Sequence, residues 1–157
     1  MLTNVSTSAQ KKITRQKSRR RIARELVLQG IYQWHLAGGT IDLIEVQLRE
    51  TREFSRADEK FFSKLFDGVF GDVNKIEETI LPFIDRPFTA LSPVEYAILL
   101  LSTYELIYFV EIPYRAVINE AIELARTYGG IDGYKYVNGV LDKLAVKLRA
   151  AEIASPT

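Results

Sequence analysis

The side chains best placed to do chemistry are arginines. The stretch Lys17-Ser18-Arg19-Arg20-Arg21-Ile22-Ala23-Arg24-Glu25-Leu26 sets five cations within ten residues. A guanidinium donates paired hydrogen bonds to a phosphate or a carboxylate, and its plane stacks on flat rings. If the stretch is helical, Arg20 and Arg24 stand one above the other, and Arg21, Leu28 and Tyr32 fall on the same side. An aromatic ring beside arginines offers a stacking surface to an unpaired base. Spacing alone leaves Tyr32 open between surface and core.

A second group lies near the C-terminus. Asp132-Gly133-Tyr134-Lys135-Tyr136 puts a helix N-terminus, a cation and two aromatics together, and exposed N–H groups at such a terminus suit a phosphate. By spacing alone, ordinary capping by Asp132 with Tyr136 turned into the core is the preferred reading. Glu120 and Glu123, with Asn119, share one helix face and have the types needed for acid–base or metal chemistry. No partner converges on them in sequence, so a solvated or capping role is preferred there. Asp142 beside Lys143 reads the same way.

Other reactions lack their parts. His35 is the single histidine and there is no cysteine. A Ser-His-Asp arrangement, a thiolate nucleophile, a transition-metal site and a disulfide framework are therefore not expected. Gly129-Gly130 follows a helical pattern and reads as a C-cap, not as a phosphate-cradling loop. No catalytic residue, metal ligand or cofactor site is expected, and the chain is not read as an enzyme.

The charge is unevenly spread. Residues 1–24 hold eight of the 21 Lys and Arg and none of the 20 acidic residues, so a head of +8 sits on a body of −7 behind a formal total of +1. Such a split points to an electrostatic partner, nucleic acid being the usual one. Duplex DNA is less favoured, because no helix-turn-helix pattern is evident. At 157 residues and 47% hydrophobic, the chain can bury one core. No apolar run has the length of a membrane span or of a secretory signal, and a cytoplasmic location fits the absence of cysteine.

The elements that must position these residues are helices. The first is expected from an N-cap at Ser18 to Gly38-Gly39, and the second over about 41–53 behind Thr40. Asp58 opens a long apolar pattern reaching Ile80, with Gly68 and Gly71 inside it as sites for a close crossing or a bend. Leu91-Ser92-Pro93-Val94-Glu95 is a capping box with proline at the first helical position. The helix after it is apolar nearly all round and should be the central element. Pro113 starts another helix, to Tyr128, and Asp132 caps the last. The expected fold is all-α, with about six or seven helices in two small bundles of about three and four sharing one core. Residues 1–17 read as a flexible basic tail and 18–149 as one domain. Its N-terminal bundle covers about 18–86 and its C-terminal bundle about 87–149. Residues 150–157 are expected to fray.

Three blocks together resemble the NusB family of bacterial transcription antitermination proteins. The first is Arg20-Arg21-Ile22-Ala23-Arg24-Glu25 with Gln29-Gly30-Ile31-Tyr32-Gln33-Trp34. The second runs from Ile112-Pro113-Tyr114 to Asn119-Glu120-Ala121-Ile122-Glu123-Leu124-Ala125. The third is Lys135-Tyr136-Val137-Asn138-Gly139-Val140-Leu141-Asp142-Lys143. The resemblance covers about residues 18–149 and implies a non-catalytic helical protein. Its implied ligand is a short single-stranded RNA element (boxA) in ribosomal RNA leader transcripts. Its implied partners are the small-subunit ribosomal protein that acts as NusE and, in the assembled complex, other Nus factors and RNA polymerase. By position it marks Arg20, Arg21, Arg24 and Tyr32 as RNA-binding, adds Asp132, Lys135 and Tyr136 as a second RNA contact, and places Glu95 near the partner surface. Gly133 and Tyr136 depart from the Ser and Phe common in the family. The competing reading is a protein–protein adaptor or homodimeric helical module whose basic head is a non-specific arm.

Overall fold

The computed structural model describes residues 17–155, and among these every regular element is helical. Helix α1 (Arg19–Ala37) starts where the Ser18 hydroxyl accepts the Arg21 N–H at 2.9 Å, and ends at Gly38, whose φ of 71° suits glycine. Helix α2 (Ile41–Arg49) buries Ile44 and Leu48 against it. It stops short of the expected end, and residues Arg52–Arg56 form a 3-10 turn.

The long pattern after Asp58 is two helices, α3 (Glu59–Gly71) and α4 (Val73–Ile80), separated at Asp72. The two glycines do different jobs. A Cβ built on Gly68 would stand 2.0 Å from the Tyr104 ring, so the missing side chain is what lets the fifth helix lie this close. Gly71 has open space around it and marks the end of α3.

Helix α5 (Pro93–Tyr108) is the central element. Ser92 Oγ accepts the Glu95 N–H at 3.1 Å and donates to the Glu95 carboxylate at 2.9 Å, a capping box closed through the hydroxyl. Residues Tyr96 to Thr103 are all buried, and α5 packs on α1, α3 and α4 as well as on α6 (Tyr114–Tyr128) and α7 (Gly133–Leu148).

Of the residues expected to fray, 150–154 do not, and 156–157 lie outside the described residues. Ala150–Ala154 form a short helix, α8. Just before it, Arg149 is buried and donates to the carbonyl oxygens of Leu106 (2.7 Å), Ile112 (2.9 Å), Phe109 (3.0 Å) and Glu105 (3.2 Å). These include carbonyls that a helix end leaves without intrahelical partners. Glu152 accepts the Tyr114 N–H at 2.9 Å, at the start of α6, and pairs with Arg149. One arginine and one glutamate thus close the α5–α6 connection from both sides. Among the described residues no helix is long and apolar enough to cross a membrane.

Candidate nucleic-acid interface

The arginines of α1 do not form one face. Arg24 is 4% exposed, and its Nε and Nη2 grip both oxygens of Glu105 at 2.7–3.1 Å. Its guanidinium also lies 4.8 Å from the centre of the Phe61 ring. This corrects the placement of Arg24 beside Arg20 on an accessible surface. The buried arc of α1 is wider than its apolar letters, because α5 brings in a carboxylate 81 residues away. Burial pushes the Glu105 carboxyl up, and the hydrogen bonds and charge of Arg24 oppose that shift. Leu28, expected on the same accessible side, is buried too.

Arg20 and Arg21 remain reachable. The Arg20 side chain is 50% exposed, with Asp58 at 3.8 Å and the Phe61 ring 4.9 Å from its guanidinium carbon. Arg21 is more constrained: its Nε and Nη2 donate to the two oxygens of Glu120 at 2.9 and 3.1 Å. Those hydrogen bonds raise its guanidinium above its ordinary value, against a partial desolvation. Glu120 was read from sequence as solvated or capping. It is instead an ion-pair partner, 99 residues from Arg21.

Tyr32 is on the surface. It lines a groove of about 1070 Å³ beside α1, together with Lys17, Gln29, Arg56 and Tyr128. Glu25 stands in this groove as a shared acceptor, taking the Tyr128 hydroxyl at 2.6 Å and the Lys17 ammonium at 2.8 Å. Burial, with Glu25 adding to it, pushes the Tyr128 hydroxyl up to about 12. Lys11, Lys12 and Arg15 of the basic head lie outside the described residues.

The second group sits at the start of α7. Tyr128 precedes Asp132 by four residues, a span of at most about 14 Å, so the groove and this group are neighbours. Asp132 occupies the N-cap position without a side-chain hydrogen bond and pairs instead with Lys135 at 3.3 Å. The capping role expected of it is therefore not made, since its backbone lies outside the extended region that aims a capping side chain (φ −111°, ψ 11°). Tyr136 is half-buried at the surface, not in the core. Its hydroxyl donates to Asp85 at 3.2 Å, and the Arg86 guanidinium lies 4.5 Å from the ring centre. Arg126 covers Tyr134 in the same way at 4.6 Å. Every cation named in this patch thus lies beside a ring or a carboxylate.

Glu95 is committed to the capping box, and its carboxylate borders the start of α7. A Cβ on Gly133 would lie 3.4 Å from Glu95 Oε2, so a small side chain fits there. His35 stacks on Tyr96 with ring centres 4.1 Å apart. Among the described residues no three His, Asp or Glu side chains gather to hold a metal ion.

Sequence reasoning missed Glu25, Arg86, Glu105, Tyr128 and Arg149. Each acts through a partner remote in the chain, and no local spacing announces it. The one available signal was the excess of cations on α1, which required acids from elsewhere.

Comparison with known proteins bears on the family and the fold. The NusB family model matches residues 21–146. The transcription antitermination protein NusB of Nitrosospira multiformis is 63% identical over 132 residues, covering 84% of each chain. That of Ralstonia nicotianae is 52% identical over 139 residues, covering 88% of this chain and 90% of the relative. Among solved structures, T. maritima NusB superposes with a TM-score of 0.72 at 28% identity, over 80% of this chain and 89% of that one. A crystal structure of the antitermination factors NusB and NusE in complex with dsRNA gives a TM-score of 0.70 at 23% identity. It covers 80% of this chain and 95% of that one, and at that identity it speaks for the fold alone.

Proposed function

The chain belongs to the NusB family, and from that membership we propose that it is a transcription antitermination factor acting in the cytoplasm, without catalysis of its own. Its ligand is a short single-stranded RNA element of the boxA type in ribosomal RNA leader transcripts. It pairs with the small-subunit ribosomal protein that acts as NusE, and the pair joins other Nus factors on RNA polymerase.

The observation that carries this reading is local. One helix carries two accessible guanidiniums, Arg20 and Arg21, and the ring of Tyr32, which lines a groove with Lys17, Arg19 and Arg56. Guanidinium and ring together suit a flexible strand with splayed bases better than a stacked duplex. Arg20 and Arg21 neutralise phosphates, and Tyr32 stacks a base. Lys135 supplies a further cation, oriented by Asp132, with Tyr136 beside it on the turn side of α7. Arg24 serves the interface indirectly, by fixing α1 on α5. In this reading Glu95 lies near the surface that meets the protein partner. The division into bundles of about 18–86 and 87–149 is retained within this proposal, with α5 as the shared core helix.

The test is recovery from lysate together with direct binding. The tagged protein should retain a small ribosomal protein and leader RNA. In solution it should bind a labelled boxA-type single strand more tightly than an unrelated strand or the same sequence as a duplex. Equal affinity for all three probes, with no ribosomal protein recovered, would leave only a helical adaptor with a non-specific basic arm. Preference for the duplex would overturn the single-strand assignment.

A further inference from the structure

We propose that Glu120 is a releasable counter-ion: it fills the donor edge of Arg21 in the free protein, and an RNA phosphate takes that edge as Glu120 moves onto Arg24. The inference rests on the reading of Arg21 as a phosphate ligand.

Three observations carry it. First, both oxygens of Glu120 occupy the Nε–Nη2 edge of Arg21, at 2.9 and 3.1 Å. That is the geometry in which a guanidinium also grips two phosphate oxygens, so the two anions compete for one place. Second, the pair is open to water, with side-chain exposures of 34% for Arg21 and 23% for Glu120. The grip is bidentate, but both partners keep contact with water, so a phosphate can compete for the guanidinium. Third, Glu120 has somewhere to go. Arg24 spends Nε and Nη2 on Glu105, and its Nη1 stands 4.0 Å from Glu120 with no hydrogen bond of its own among the described residues. A small rotation of the Glu120 side chain closes that gap without leaving the carboxylate unpaired.

The consequence is that the four groups Arg21, Arg24, Glu105 and Glu120 are neutral together in the free protein. An RNA must displace an internal anion before it gains Arg21. Glu120 thereby sets how attractive the arginine face is to any polyanion.

The experiment measures affinity for a labelled boxA-type single-stranded RNA. It compares the full chain with Glu120→Gln, Glu123→Gln, Arg21→Ala and the double variant Arg21→Ala/Glu120→Gln. Glu120→Gln keeps the shape and one acceptor, and should tighten binding about two- to fivefold, the worth of a solvent-reachable ion pair. Glu123→Gln removes the same charge one helical turn away and should give a clearly smaller gain. In the Arg21→Ala background the Glu120→Gln gain should vanish, which is the signature of a coupled pair. Glu120→Asp keeps the charge on a shorter stem and should fall between wild type and Glu120→Gln. Unchanged or weakened binding in Glu120→Gln would overturn the proposal. So would an equal gain in Glu123→Gln, or a gain that persists without Arg21. Failure of the underlying reading looks different: Arg21→Ala would then bind the RNA as tightly as wild type.

Discussion

Arg21 and Arg24 stand three residues apart on one helix, carry the same side chain, and both have Glu120 within 4.0 Å. Their surroundings make them opposites. Arg24 is sealed against α5, with its charge cancelled by Glu105, while Arg21 meets Glu120 at the edge of the solvent. A buried pair costs several kcal/mol if one partner is removed, because the other is left charged and dry. An exposed pair contributes well under that, and its members stay available to a ligand. What separates a structural arginine from one proposed to bind RNA here is the depth of its acid, not the residue type.

The largest break in this comparison is at the buried end. Glu105→Ala should destabilise the fold by about 3–5 kcal/mol, read from urea unfolding, because Arg24 would be stranded. Replacing both partners, Arg24→Met with Glu105→Leu, should recover most of the loss. Any fall in RNA binding should follow the unfolded fraction and not the charge. Next comes Arg149→Ala, which takes the donor from the Leu106 and Ile112 carbonyls and a second donor from those of Glu105 and Phe109. Roughly 2–4 kcal/mol is expected, as a drop in thermal midpoint.

These two arginines also mark where the sequence stopped being readable. Ser18, Asp58 and Ser92 announced their helices, because capping is decided by residues three apart. The unbroken apolar surface of α5 announced a central helix. Arg24 was misplaced because a helical wheel ranks a residue by its own polarity, and only tertiary packing puts Glu105 beneath it. Arg149 and Glu152 lie in a short segment with no apolar period, and their value comes from carbonyl and N–H groups that α5 and α6 leave open. The break at Asp72 was hidden by apolar positions that stay in phase across it. For the interface, Arg20, Arg21 and Tyr32 were legible as types on one helix. The acids that modulate them were not, since Glu25 and Glu120 are indistinguishable in sequence from any solvated glutamate, and the cap role of Asp58 does not disclose its pairing with Arg20.

At the open end the effects are smaller in stability and larger in binding. Arg20→Ala and Arg21→Ala should each cost less than about 1 kcal/mol in unfolding experiments. The smallest effect concerns pH. The Tyr114 N–H holds the Glu152 carboxyl below its ordinary value, with Arg149 assisting. The stabilisation it contributes is present above the unfolded value and is lost as pH falls through the depressed one. As pH falls through that range, protection of the Tyr114 amide, taken relative to its intrinsic exchange rate, should be lost before that of the bulk of the core. A cooperative, simultaneous loss would show that α8 is not a separable clasp.

The central claim is that Arg20 and Arg21 hold RNA phosphates while Arg24 does not. It is tested most directly by the salt dependence of RNA binding in the double variant Arg20→Ala/Arg21→Ala. Each phosphate contact to a single strand contributes about 0.7 to the slope of log affinity against log salt, so the slope should flatten by about 1.4 while the thermal midpoint stays near that of wild type. A variant that binds with unchanged slope and affinity would contradict the account.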